Sequence, residues 1–136
     1  MEPNHVWSLW RLGLALLETS RFDEAIEALE RAVAVSDRSA TPLGSLALAW
    51  GRAGRQQDTQ RLITELEALQ RTRYVPPAAF LHAFIGLGDC DRAFDALEEA
   101  YQERSSIMQF VKVLPLLDSL RDDERFAAML RRVSLA

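Results

Sequence analysis

A period of thirty-four residues runs through most of this chain, and no other feature limits its folding as tightly. The stretches "TSRFDEA", "AGRQQDT" and "LGDCDRA" place Ser20, Gly54 and Gly88 at that spacing, each after an apolar segment and before a polar restart. Five residues beyond these turns lie Ala25, Thr59 and Ala93, and seven further on lie Ala32, Leu66 and Ala100. Leu29, Ile63 and Leu97 keep the same phase. Upstream, Leu12-Gly13, Leu46-Ala47 and Phe80-Leu81 align, as do Leu16, Trp50 and Phe84. Three units therefore tile residues 6–39, 40–73 and 74–107 without an insertion. A fixed period of this length is the mark of stacked supersecondary units.

Inside each unit the apolar residues recur at helical spacing. Residues 6–19 follow it, and 22–36 follow it again with charges on the opposite face. The pattern predicts helix, short turn, helix. Thr41 is the expected N-cap of the second unit, with Pro42 at the first helical position, where its missing N–H costs nothing. Pro76-Pro77 should open the first helix of the third unit and hold Val75 extended. Gly54 and Gly88 supply the left-handed conformation that ends a helix. Small residues at Gly13, Ala25 and Ala32 let the two helices of a pair approach closely. One pair cannot bury both of its faces, so neighbouring pairs must stack. An all-α fold follows.

These residues resemble the tetratricopeptide repeat (TPR) family. Unit one carries its pattern at Leu9, Leu12-Gly13, Leu16, Ala25, Leu29 and Ala32, with Asp37 off pattern at the last position. Unit two has Thr59 and Leu66 in place of two alanines; unit three has Leu81 and Ser105 off pattern but keeps "DRAFDALEEAY". The resemblance implies a right-handed α-solenoid over residues 6–107. It also places Pro3 as the closing proline of a preceding repeat, as if the chain were cut from a longer array. Residues 108–136 leave the pattern and are similar to the terminal segment that follows such arrays in multidomain bacterial proteins. They are expected to form a helical cap, in which Pro115 stops one short helix and Asp122 or Asp123 starts another. "RFAAMLRRV" would present one apolar and one basic face there.

In this family the first helix of each unit lines a concave groove. The matching positions are Trp7, Trp10, Leu14 and Leu17, then Thr41, Gly44, Leu48 and Gly51, then Val75, Ala78, His82 and Ile85. The partner-binding residues so implied are Trp7, Trp10, Leu14, Leu17, Leu48, His82 and Ile85, an apolar set suited to a peptide or helix. One subfamily clamps chaperone-tail carboxylates with Lys, Asn and Arg on this surface. Trp10, Leu14, Ser45, Val75 and Ala79 stand at those places here, so that ligand is not expected.

Other chemistry finds no support in the residues. A net charge of −4, and basic residues that are all arginine except Lys112, leave no basic stripe for nucleic acid. The single cysteine, Cys90, suits a reducing cytoplasm, and no apolar run is long enough for a membrane span. The start, "MEPNHVW", lacks a signal-peptide pattern. Glu24, Glu27 and Glu30 read as a solvated helix face with Glu27 paired to Arg31, and Asp89 in "DCD" reads as an N-cap. His5 and His82 have no acidic residue at helical i,i+4 spacing, Ser105 and Ser106 lack a nucleophile context, and "GLGD" lacks the lysine of a phosphate loop. The expectation is a protein-interaction module with no cofactor, metal or catalytic role, one part of a larger bacterial regulatory protein. The alternative is self-association, a homodimer formed through the Trp-rich first helix.

Overall fold

The chain is represented by a computed structural model that describes residues 3–109, 111 and 114–135. The described residues form α1 (Pro3–Glu18), α2 (Phe22–Val35), α3 (Ala40–Arg52), α4 (Gln56–Gln70), α5 (Pro77–Leu87), α6 (Cys90–Gln102) and α7 (Glu124–Leu135). Short 3-10 turns lie at Ser106–Gln109 and Pro115–Leu120, and no strand occurs among the described residues. Each odd helix from α1 to α5 packs on the helix that follows it, α2 packs on α3, α4 on α5, and α3 lies along α5.

The thirty-four-residue period reappears in the hydrogen bonds that close the first helix of each pair. The Ser20 N–H donates to the Leu17 carbonyl at 3.0 Å and the Arg21 N–H to Leu16 at 2.9 Å. Gly54 donates to Gly51 at 3.1 Å and Arg55 to Trp50 at 2.8 Å; Gly88 donates to Ile85 at 3.1 Å and Asp89 to Phe84 at 3.0 Å. This is a Schellman closure made at each of these three helices, and again after α2 at Asp37 and after α6 at Arg104, and it needs a left-handed residue after the helix. Ser20, Gly54 and Gly88 supply it with φ of 61°, 85° and 81°. Asp89 then caps α6, its carboxylate accepting from the Arg92 N–H at 3.1 Å.

Some local expectations shift. α3 starts at Ala40 with Ser39 extended before it, so Ser39 takes the N-cap place assigned to Thr41. Pro42 then sits third in the helix, still among the N–H positions that lack an intrahelical partner. α1 runs from Pro3, the first described residue. Among the described residues no ion pair joins Glu27 to Arg31; pairs on the exposed faces of α2 and α4 include Arg21–Glu24 at 2.6 Å and Arg55–Asp58 at 2.7 Å.

Small residues set how closely the helices approach. A Cβ on Gly13 would lie 2.5 Å from Leu29 Cγ. Between α3 and α5 the approach is backbone to backbone: a Cβ on Gly44 would strike the Ala79 carbonyl, and one on Gly51 the Gly86 carbonyl. Gly44 and Gly51 were expected on the open groove, yet that contact consumes them. Thr59 fills an alanine place because its hydroxyl donates to the Ala47 carbonyl at 3.0 Å, satisfying a polar atom that burial would otherwise penalise. Leu29, Leu43, Ile63, Leu66, Leu81 and Leu97 are wholly buried along the stack, and Leu117 and Leu120 carry the same core into the C-terminal segment.

That segment departs from the expected cap in one respect. Pro115 opens the turn Pro115–Leu120 instead of ending a helix, because its fixed φ suits the first position and it gives up no needed N–H. Asp123 precedes α7, its carboxylate accepting from the Arg125 N–H at 2.9 Å. α7 buries Phe126 and Met129. On α6 it is held by Arg125–Asp91 and Arg132–Glu98, both at 2.9 Å and both thirty-four residues apart. The Arg125 and Arg132 guanidinium groups lie over the rings of Phe94 and Tyr101, at 4.4 and 4.3 Å.

Candidate functional site

α1, α3 and α5 present one continuous face, and the chain's own Leu114–Ser119 stretch crosses opposite it. Between them lies a cleft of 540 Å³. Trp10, Leu14 and Leu17 line it from α1, Leu48 and Arg52 from α3, and His82 from α5; Leu114, Pro115 and Leu116 form the facing wall. The recurrence that aligns the pairs also brings these residues together: Leu14, Leu48 and His82 are spaced by thirty-four.

The polar atoms of the deep end are connected. Trp10 Nε1 donates to Ser45 Oγ at 2.8 Å, and Ser45 Oγ lies 3.2 Å from His82 Nδ1. An indole N–H only donates, so the serine oxygen accepts there, and its bond with His82 Nδ1 runs one way or the other according to the imidazole tautomer. In the tautomer whose Nδ1 accepts from Ser45, the proton of the neutral imidazole is on Nε2. Burial, and secondarily the positive charge of Arg52, push its pKa down to about 4, which agrees with the neutral form. His82 is only 8 % exposed, and Nε2 has no hydrogen-bond partner among the described residues.

Of the seven residues expected to meet a partner, Trp10, Leu14, Leu17, Leu48 and His82 line the cleft. Leu17 and Leu48 are largely buried there, so they shape its walls more than they project into it. Trp10 is half-buried and tied to α3 by its indole hydrogen bond. Trp7, 46 % exposed, meets Trp10 edge to face at 5.5 Å but lies outside the cleft, on a neighbouring hollow with Tyr74 and Pro76. Ile85 packs against the core and is not part of the lining.

Sequence reasoning missed Arg52, Ser45 and the Leu114–Leu116 wall. Arg52 was within reach, since it follows Leu48 by four residues on one helix face. Ser45 was considered only as a position lacking clamp chemistry, although it joins Trp10 to His82. The C-terminal wall left no signal, because the repeat pattern stops before it. Arg52 forms no ion pair within 4.0 Å among the described residues, whereas Asp118, which also lines the cleft, is held by Arg121 at 2.7 Å. No group of three His, Cys, Asp or Glu side chains among the described residues is arranged to hold a metal, and no described helix is long and apolar enough to cross a membrane. Compared with known proteins, the chain matches no family model, no curated protein and no solved structure.

Proposed function

We propose that this chain is a TPR-type, right-handed helical solenoid that serves as a protein-interaction module, without catalysis, within a larger bacterial regulatory protein of the cytoplasm. The supporting observation is the cleft: apolar side chains of α1 and α3 converge on it with His82 of α5, and the half-exposed Trp7 lies beside it on α1. Concave, mostly apolar surfaces with a few placed polar groups are what peptide segments and ligands use. The Schellman closure repeated at α1, α3 and α5 and the α3–α5 backbone contact support the solenoid reading. In it, a short apolar segment of a partner polypeptide enters along Trp7, Trp10 and Leu14.

The test is selection of random peptides on the folded protein, followed by binding measurements on Leu14→Arg. Selected peptides should share apolar anchors and lose affinity for that variant. Peptides that bind wild type and Leu14→Arg equally would place the interaction elsewhere. Self-association has its own supporting observation, since Leu12 is 50 % exposed on α1 and does not line the cleft. Light scattering separates the two: a stable dimer that Leu12→Glu dissociates favours it.

A further inference from the structure

The deep end of the cleft has more chemistry than a peptide anchor requires. His82 is more than nine-tenths buried and lines the cleft; its Nδ1 faces Ser45, and its Nε2 has no hydrogen-bond partner among the described residues. In the tautomer that accepts from Ser45, Nε2 carries the proton and can donate to a molecule in the cleft. Arg52 lines the same cleft with no ion pair among the described residues, so the cleft holds both groups. Around them the walls are hydrocarbon and indole: Trp10, Leu14, Leu48, Leu114 and Leu116.

We propose that this cleft binds a small amphipathic monocarboxylate, whose carboxylate accepts from His82 Nε2–H and pairs with Arg52 while its apolar body lies between α1 and Leu114–Leu116. The size of the cleft supports a small molecule. Its 540 Å³ falls in the range of small-molecule sites, and the chain's own C-terminal stretch closes one side of it. A carboxylate is the acceptor that uses both donors at once, because its two oxygens serve an N–H and a guanidinium together. Glu18 and Asp118 also line the cleft and disfavour a second negative charge, so the ligand is a monoacid. The occupant would join α1, α3 and α5 to the C-terminal stretch. This goes beyond partner binding and does not depend on it.

The experiment titrates the whole chain with octanoate and with 3-phenylpropanoate, following tryptophan fluorescence and the His82 ring nitrogen signals by NMR. Octanamide and 3-phenylpropanamide are the neutral controls. At least one acid should bind saturably and shift the Nε2 signal, with its amide about ten-fold or more weaker, the loss expected for one charge-assisted hydrogen bond. Arg52→Gln, at an exposed position, should lose the same factor while melting like wild type. Leu116→Trp, which fills the cleft from the facing wall, should abolish binding. Failure of both acids to saturate would overturn the proposal, and so would acids and amides that bind equally or an Arg52→Gln protein that binds like wild type. Peptides selected as described above report separately, so loss of the small-ligand site leaves the interaction reading standing or falling on its own result.

Discussion

Ser45 is a small side chain whose hydroxyl serves two helices besides its own. It accepts from Trp10 on α1 and faces His82 on α5, so its loss leaves two polar groups without partners. Ser45→Ala should cost roughly 1–3 kcal/mol, the range for stranding buried polar groups. Denaturant unfolding checks this, and a variant within error of wild type would mean that water satisfies both groups. His82 adds a pH dependence of known sign. The unfolded chain takes a proton on this imidazole near 6.5 and the folded chain only near 4, so the unfolded state binds more protons between those values. Stability is full above about pH 6.5 and falls as pH drops toward 4, by roughly 3 kcal/mol at the acid end. Carboxylates shape the acid limb as well. The measure is therefore the difference in unfolding free energy between wild type and His82→Gln across that window. At this scale the sequence exposed the apolar residues and His82, because the period aligns them. It did not expose the hydrogen-bonded chain, since a serine thirty-five residues from a tryptophan carries no local pattern.

Helix pairs owe their spacing to residues that keep side chains out of the way. Gly51 on α3 has the Gly86 backbone where its Cβ would stand, and backbone cannot rotate aside as a side chain does. Gly51→Ala should force α3 and α5 apart and cost roughly 1–3 kcal/mol, an overpacking penalty, despite alanine's better helix propensity. Ala25→Leu at the α1–α2 crossing should do the same, as Ala25 is fully buried. Thermal melting of both variants is the check; unchanged melting in both would mean that the pairs do not cross where these residues stand. The helices and their turns were legible because each rests on local chemistry repeated three times, and the Asp89 cap because a carboxylate at a helix start is a local signal. The role of Gly44 and Gly51 was not. A small residue in an apolar helix reads the same whether it opens a groove or admits another backbone, and only the path of α5 decides.

Across the whole molecule, one core runs from α1 to the C-terminal segment, and the segment does two jobs. α7 covers the end of the stack through Phe126 and Met129, while Leu114–Ser119 walls the cleft. Deleting residues 115–136 should expose the apolar face of α5 and α6 and cause aggregation, measurable as a rise in scattering on warming. A soluble truncation with unchanged melting would contradict the covering role. The sequence signalled a cap but not its path. Where the period ends, nothing in the spacing tells whether Pro115 stops a helix or starts a turn that folds back on α1. That return path is what makes the cleft, and paramagnetic relaxation reports it most directly. With Cys90→Ser and a nitroxide on Ser119→Cys, the amides of Leu14, Leu17, Glu18 and Ser20 should be strongly broadened, because Ser119 lines the cleft opposite that end of α1. Full intensity for those amides, with broadening confined to α6 and α7, would contradict the cleft and every role assigned to it.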